Sequence, residues 1–156
     1  MEATLHARKY HLPCDIPSEL LSRRAGAFVT LVSGGKLRAC WGTLEPQQPH
    51  LAAEIVAAAQ GVCSRDTRFP PLRAEELNRL KIILTVVLAP PQPATEAQIL
   101  PREHGVLVRR EGRSAVVLPH EGRTVRRMLA LARQKAGIGA GEPVEIYTFR
   151  VQTIGE

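Results

Sequence analysis

Aromatic side chains are scarce in this sequence, 4% of 156 residues, so any core has to be built from aliphatic side chains. Cysteine is nearly absent. Cys14, Cys40 and Cys63 are odd in number and widely spaced, which offers neither a disulfide framework nor a zinc knuckle and suits a reducing cytoplasm. The five histidines, His6, His11, His50, His104 and His120, form no His-x-x-x-His pair, so no structural metal is expected. The longest apolar run, Ile82 to Pro91, is broken by Thr85 and is far too short to span a bilayer. The N-terminus carries Glu2 early and lacks the apolar stretch of a secretory signal. Internal repeats and low-complexity tracts are missing too. Gly34-Gly35 is followed by no helix and no Gly-Lys-Ser, so it is a turn and not a phosphate cradle. These absences leave a cytoplasmic globular protein with no membrane segment and no cofactor expected.

What is present is ordinary for one folded domain: 44% hydrophobic and 23% charged residues, at a length that can bury a respectable core. Lys and Arg outnumber Asp and Glu by 21 to 15, a net charge of +6, and that surplus favours anionic partners through long-range attraction. It is carried mainly by arginine, at Arg23-Arg24, Arg109-Arg110, Arg113, Arg123, Arg126-Arg127 and Arg133. No aromatic residues interleave with these positions as they do in a single-strand stacking platform. The expectation for nucleic acid is therefore weak, unselective association that vanishes by physiological salt.

Periodicity supplies the elements. Leu5 to Leu12 predicts a short helix ended by Pro13, and Ser18 to Arg24 another turn or two. Gly26 to Ser33 alternates as a strand, with Ala27, Val29 and Leu31 on one face. Gly34-Gly35 predicts a hairpin turn, and Lys36 to Thr43 the antiparallel return strand. Leu51, Ala52, Ile55, Val56, Ala59, Val62 and Cys63 recur at helical spacing. A short helix is predicted at Ala74–Leu80, with Glu75 and Glu76 in its first turn. Lys81 to Ala89 is apolar on both faces, which suits a central strand buried on both sides. Gln92 to Arg102 reads as a mobile or wrapping connection, and two short strands follow at Gly105–Arg110 and Ser114–Leu118. A last helix over Thr124–Lys135 and a strand over Val144–Gln152 complete the chain. Hairpins interrupted by single helices give an α+β fold with a mainly antiparallel sheet and flanking helices. Residues 1–156 are taken as a single domain, with a smaller lobe possible around 90–140.

Several segments, in order, resemble one family. Gly26-Ala27-Phe28-Val29-Thr30-Leu31, then Leu37-Arg38-Ala39-Cys40-Trp41-Gly42, is similar to the opening signature of the AMMECR-one family, whose microbial members are called AmmeMemoRadiSam system protein A. Asp66-Thr67-Arg68-Phe69-Pro70-Pro71-Leu72 looks like that family's Asp-Pro-Arg-Phe segment. Glu75-Glu76-Leu77, the strand Ile82–Leu88, Gly105–Val108, Leu118-Pro119, Lys135-Ala136-Gly137 and Tyr147-Thr148-Phe149 follow at the family spacing. The resemblance implies a compact, two-lobed α+β domain, commonly encoded beside Memo-like and radical SAM proteins, which become its candidate partners. It implies no settled reaction. Ala39 stands where the family usually has glycine, Trp41 where it has isoleucine and Thr67 where it has proline. The segment between Leu118-Pro119 and Lys135 is shorter than usual and lacks the family's tryptophan-containing stretch.

The candidate site gathers around Arg38 and Cys40. Two residues apart on a strand, their side chains share a face. A guanidinium there would favour the thiolate, the form that attacks electrophiles, which makes Cys40 the candidate nucleophile. The competing reading is a small buried hydrophobe. Arg38 suits bidentate binding of a carboxylate or phosphate, or pairing with Asp66. Asp66 and Arg68 fall in an irregular loop between helices, where binding residues collect but internal ion pairs also form. Glu76 is placed either as an acid–base group or as a solvated first-turn glutamate. His104 and His120 are read as surface residues, with either able to act as a base if the fold brought it to Cys40. Arg38, Asp66, Arg68 and Glu76 are thus the binding candidates. Three functions are carried forward: an accessory binding module for a protein partner or small anion, a cysteine-dependent enzyme acting with Memo-like and radical SAM proteins, and weak nucleic-acid association.

Overall fold

The structure is a computed structural model that describes Met1 and residues 12–155; the helix expected over Leu5–Leu12 falls, apart from Leu12, outside that range. The chain divides into two compact units, residues 1–86 with 153–156, and residues 87–152. Within each unit the strands pair antiparallel and helices flank them, an α+β fold.

In the first unit, β1 (Ala27–Ser33) and β2 (Lys36–Gly42) form the hairpin, and β1 pairs on its other side with β3 (Lys81–Val87). Gly34 and Gly35 both hold positive φ, 55° and 75°, the left-handed backbone that a two-residue hairpin turn needs. A register shift at Leu31/Val32 marks a bulge. A short helix, α1 (Ser18–Ser22), precedes the hairpin, and α2 (Leu51–Ser64) follows it. His50 caps α2, its Nδ1 accepting from the Ala53 N–H at 3.2 Å. One sheet face and α2 enclose Val29, Leu31, Ala39, Ala58, Val62, Cys63 and Leu72, with Trp41 packed against them. The buried arc of α2 also includes Glu54 and Gly61, positions that an apolar stripe does not reveal.

Two expectations change here. The segment at Ala74–Arg79 is a 3₁₀ helix. Only the later part of β3 is buried: Lys81 and Ile82, which pair with Val32 and Leu31 near the hairpin end, are exposed.

The second unit has β5 (His104–Arg110) between β6 (Arg113–Val117) and β7 (Glu145–Ile154), all antiparallel. The turn falls at Glu111-Gly112 as the sequence predicts. The proline-rich connection is built into the fold rather than loose. It contributes β4 (Gln92–Pro93), paired with β7, and sends Ile99 into the core. The helix α3 (Val125–Ala136) buries Met128, Leu129 and Ala132 against Val106, Val108 and Val117. Among the described residues, no helix is long and apolar enough to cross a membrane.

Candidate functional site

All five candidate residues lie in the first unit. Arg38, on β2, gives its guanidinium to Glu76: Nε to Oε1 at 2.7 Å and one terminal nitrogen to Oε2 at 3.0 Å. The same group donates to the carbonyls of Pro70 at 3.1 Å and Pro71 at 3.3 Å. Arg38 therefore ties the 66–80 segment to the sheet. Its carboxylate partner is Glu76 and not Asp66, and with its side chain 15% exposed it has little surface left for an external anion.

Glu76 is correspondingly fixed. It accepts from Arg38 and from the Arg73 N–H at 2.8 Å, and these bonds, the Arg38 one foremost, hold its carboxyl below the usual carboxylate range. A glutamate so held is ionised well below neutrality and is poorly matched to proton transfer near pH 7.

Asp66 organises the other half. Its side chain is 4% exposed and meets four donors: the Cys40 N–H at 2.8 Å, the Arg68 N–H at 3.2 Å, and the Arg68 guanidinium at 2.8 and 2.7 Å. Burial opposes its charge, but the hydrogen bonds from Arg68 and Cys40 outweigh that and lower its pKa. β2 is the outer strand of the β2-β1-β3 order, so an outward N–H would otherwise face solvent. Asp66 is thus an edge cap that also orients Arg68.

Cys40 is half-buried, and its Sγ accepts from the Thr30 hydroxyl at 3.2 Å across the β1–β2 pair. Cys14 is exposed; Cys63 is buried, and that burial pushes its thiol pKa up. Trp41 points to the opposite face, into the core beside α2, with the Arg65 guanidinium 5.9 Å from its ring centre. Arg68 is the exposed member of the group at 42%, and it lies 5.6 Å from the Phe69 ring centre. A shallow depression of about 570 Å³ opens in this unit between Ser33, Arg73, Glu75 and Arg79, and of the candidates Glu76 lines it.

Glu54 was not legible as a site residue. It is 2% exposed, yet it accepts from the Thr43 hydroxyl at 2.6 Å and from the N–H groups of Gln47 and Gln48 at 2.7 and 2.8 Å. It holds the loop that follows β2. The one available signal was a glutamate one turn into a helix, which usually means a solvated first-turn acid. His104 and His120 belong to the second unit, where His104 accepts from the Leu100 N–H at 3.2 Å. Among the described residues, no cluster of three or more His, Cys, Asp or Glu could hold a metal ion.

A family model described as AMMECR1 matches residues 1–154. The chain belongs to the AMMECR1 family. A Thermotoga maritima protein is 42% identical to it over 143 residues, covering 88% of this chain and 82% of that one. A Clostridium acetobutylicum protein is 32% identical over 142 residues, which is 90% of this chain but 30% of the longer relative. The crystal structure of a Pyrococcus horikoshii protein described as uncharacterised superposes with a TM-score of 0.82 at 27% identity, over 97% of this chain and 83% of that one. The AMMECR1 match secures the family and the fold. The chemistry rests on the residues above.

Proposed function

We propose that this AMMECR1 domain is a binding module whose β2 edge, centred on Arg68, docks a protein partner that presents a carboxylate or phosphate. One observation carries the reading. Arg68 is 42% exposed while its guanidinium is gripped by a carboxylate that is 4% exposed, so a cation is held at the surface in one orientation. Arginines fixed in this way lose little side-chain entropy on binding and recur as interface anchors. The depressed pKa values of Asp66 and Glu76 support binding over acid–base catalysis. Memo-like and radical SAM proteins encoded by the same genome are the candidate partners. Titration calorimetry of each against the full chain tests this. Arg68→Ala should weaken binding at least tenfold, and Cys14→Ser should leave it unchanged. Undiminished binding by Arg68→Ala rejects the face.

A cysteine-dependent activity is the second reading, and the Thr30 hydroxyl on Cys40 Sγ favours it, since a donor there would stabilise negative charge on sulfur. Differential iodoacetamide labelling at neutral pH decides. A structural Cys40 labels more slowly than exposed Cys14; a nucleophile labels faster despite its lower exposure.

A further inference from the structure

The second unit carries most of the positive surplus, with ten Lys and Arg against six Glu in residues 87–152. Much of it is occupied with the fold. Arg110 and Arg113 share Glu142, each at 3.1 Å. Arg133 donates to the carbonyls of Gly139 and Glu142, and Lys135 pairs with Glu121 at 2.5 Å. Arg109 lies over the Tyr147 ring.

Arg123, Arg126 and Arg127 differ. All three are exposed, and among the described residues their side chains enter no ion pair, hydrogen bond or ring contact. They surround the start of α3, whose first turn contains no acidic residue. The unpaired N–H groups of a helix start make it partly positive, so these guanidinium groups work against the field of their own helix. Stability alone would put Asp or Glu there. The exposed side of α3 continues with Ala130 and Gln134, small or neutral residues that leave the arginines accessible.

We propose that Arg123, Arg126 and Arg127 form a docking surface for an acidic segment of a partner protein. Charge complementarity is the argument, and the setting selects among polyanions. A membrane surface is disfavoured because the exposed side of α3 offers no large apolar residue to insert. Nucleic acid is disfavoured because the Tyr and Phe rings of the second unit are engaged: Arg109 lies over Tyr147, and Phe149 is buried. Carboxylates three or four residues apart on a partner helix lie about 5–6 Å from one another, a spacing that neighbouring guanidinium groups can engage together. The surface belongs to the second unit and the Arg68 edge to the first, and neither reading depends on the other.

Fluorescence anisotropy of labelled poly-L-glutamate against the full chain at physiological salt tests the proposal. The double reversal R126E/R127E should weaken binding at least tenfold, and the charge-matched control R24E/R102E less than about threefold. The reversal should also raise the melting temperature, because it places acids in the first turn. If it fails to fold, the neutral R126Q/R127Q replaces it with the same expected loss. Equal weakening by the control would reduce the effect to net charge and overturn the surface. Absent binding to poly-L-glutamate would overturn it too, as would tighter binding to duplex DNA or to phosphatidylserine vesicles.

Discussion

Gly61 sits inside α2, where glycine costs about 1 kcal/mol relative to alanine. Helix propensity alone therefore predicts that Gly61→Ala stabilises the protein. The tertiary structure predicts the opposite sign. A Cβ at Gly61 would land on the Trp41 indole, 2.8 Å from Cγ and closer still to the ring atoms beyond. Cγ is the ring atom nearest the backbone, so relief needs rotation of the whole side chain, in a region already filled by Ala39, Val62 and Cys63. Overpacking of this kind costs about 2 kcal/mol. Setting the helical gain against it leaves a net loss of about 1 kcal/mol, or roughly 2–4 °C in Tm for a chain of this size. Replacing Trp41 with isoleucine, a smaller side chain with no ring, removes the obstacle. In the Trp41→Ile background, Gly61→Ala should stabilise by up to about 1 kcal/mol, a coupling of about 2 kcal/mol across the cycle. Urea denaturation of the four proteins, with the m-value held common, measures it. A neutral or stabilising Gly61→Ala in the presence of Trp41 would refute the reasoning.

Glu54→Ala strands two backbone donors and a hydroxyl in a buried place and should cost about 3 kcal/mol, with Glu54→Gln losing roughly half as much because one acceptor oxygen survives; urea midpoints report both. Because Asp66 titrates below its unfolded value of about 4, its stabilisation is complete above that pH and is lost as pH falls through the folded pKa. Thermal melts from about pH 7 down to about pH 3 should thus show the gap between wild type and Asp66→Asn closing, and a gap constant with pH would contradict this assignment. Arg38→Lys keeps the charge but cannot reproduce two bonds to Glu76 and two to the proline carbonyls, so a loss of about 1 kcal/mol is expected in the same urea assay.

The sequence by itself determined the elements whose signal repeats along the backbone. The Gly34-Gly35 hairpin, the α2 and α3 periodicities and the Glu111-Gly112 turn are set by local φ/ψ and by spacings of two or three to four residues, which read directly from the chain. The ordered segments from Gly26 to Phe149 carried the family on the same footing. Sharing of a face by Arg38 and Cys40 also follows from strand geometry alone. Only the tertiary structure decided partners. Arg38 lies 38 residues from Glu76 and ten fewer from Asp66, yet the 3₁₀ turn brings Glu76 to the guanidinium while Asp66 turns to the β2 edge. Burial of Glu54 is invisible to a hydrophobic pattern because its reward comes from three hydrogen bonds supplied by the preceding loop. The arginines looked alike in composition, but Glu142 and a few carbonyls tie up those near the β5–β6 turn and leave Arg123, Arg126 and Arg127 exposed. Periodicity tells which way a side chain points. Which opposite charge it meets depends on where the rest of the chain has folded, and an ion pair carries no signature in either residue alone.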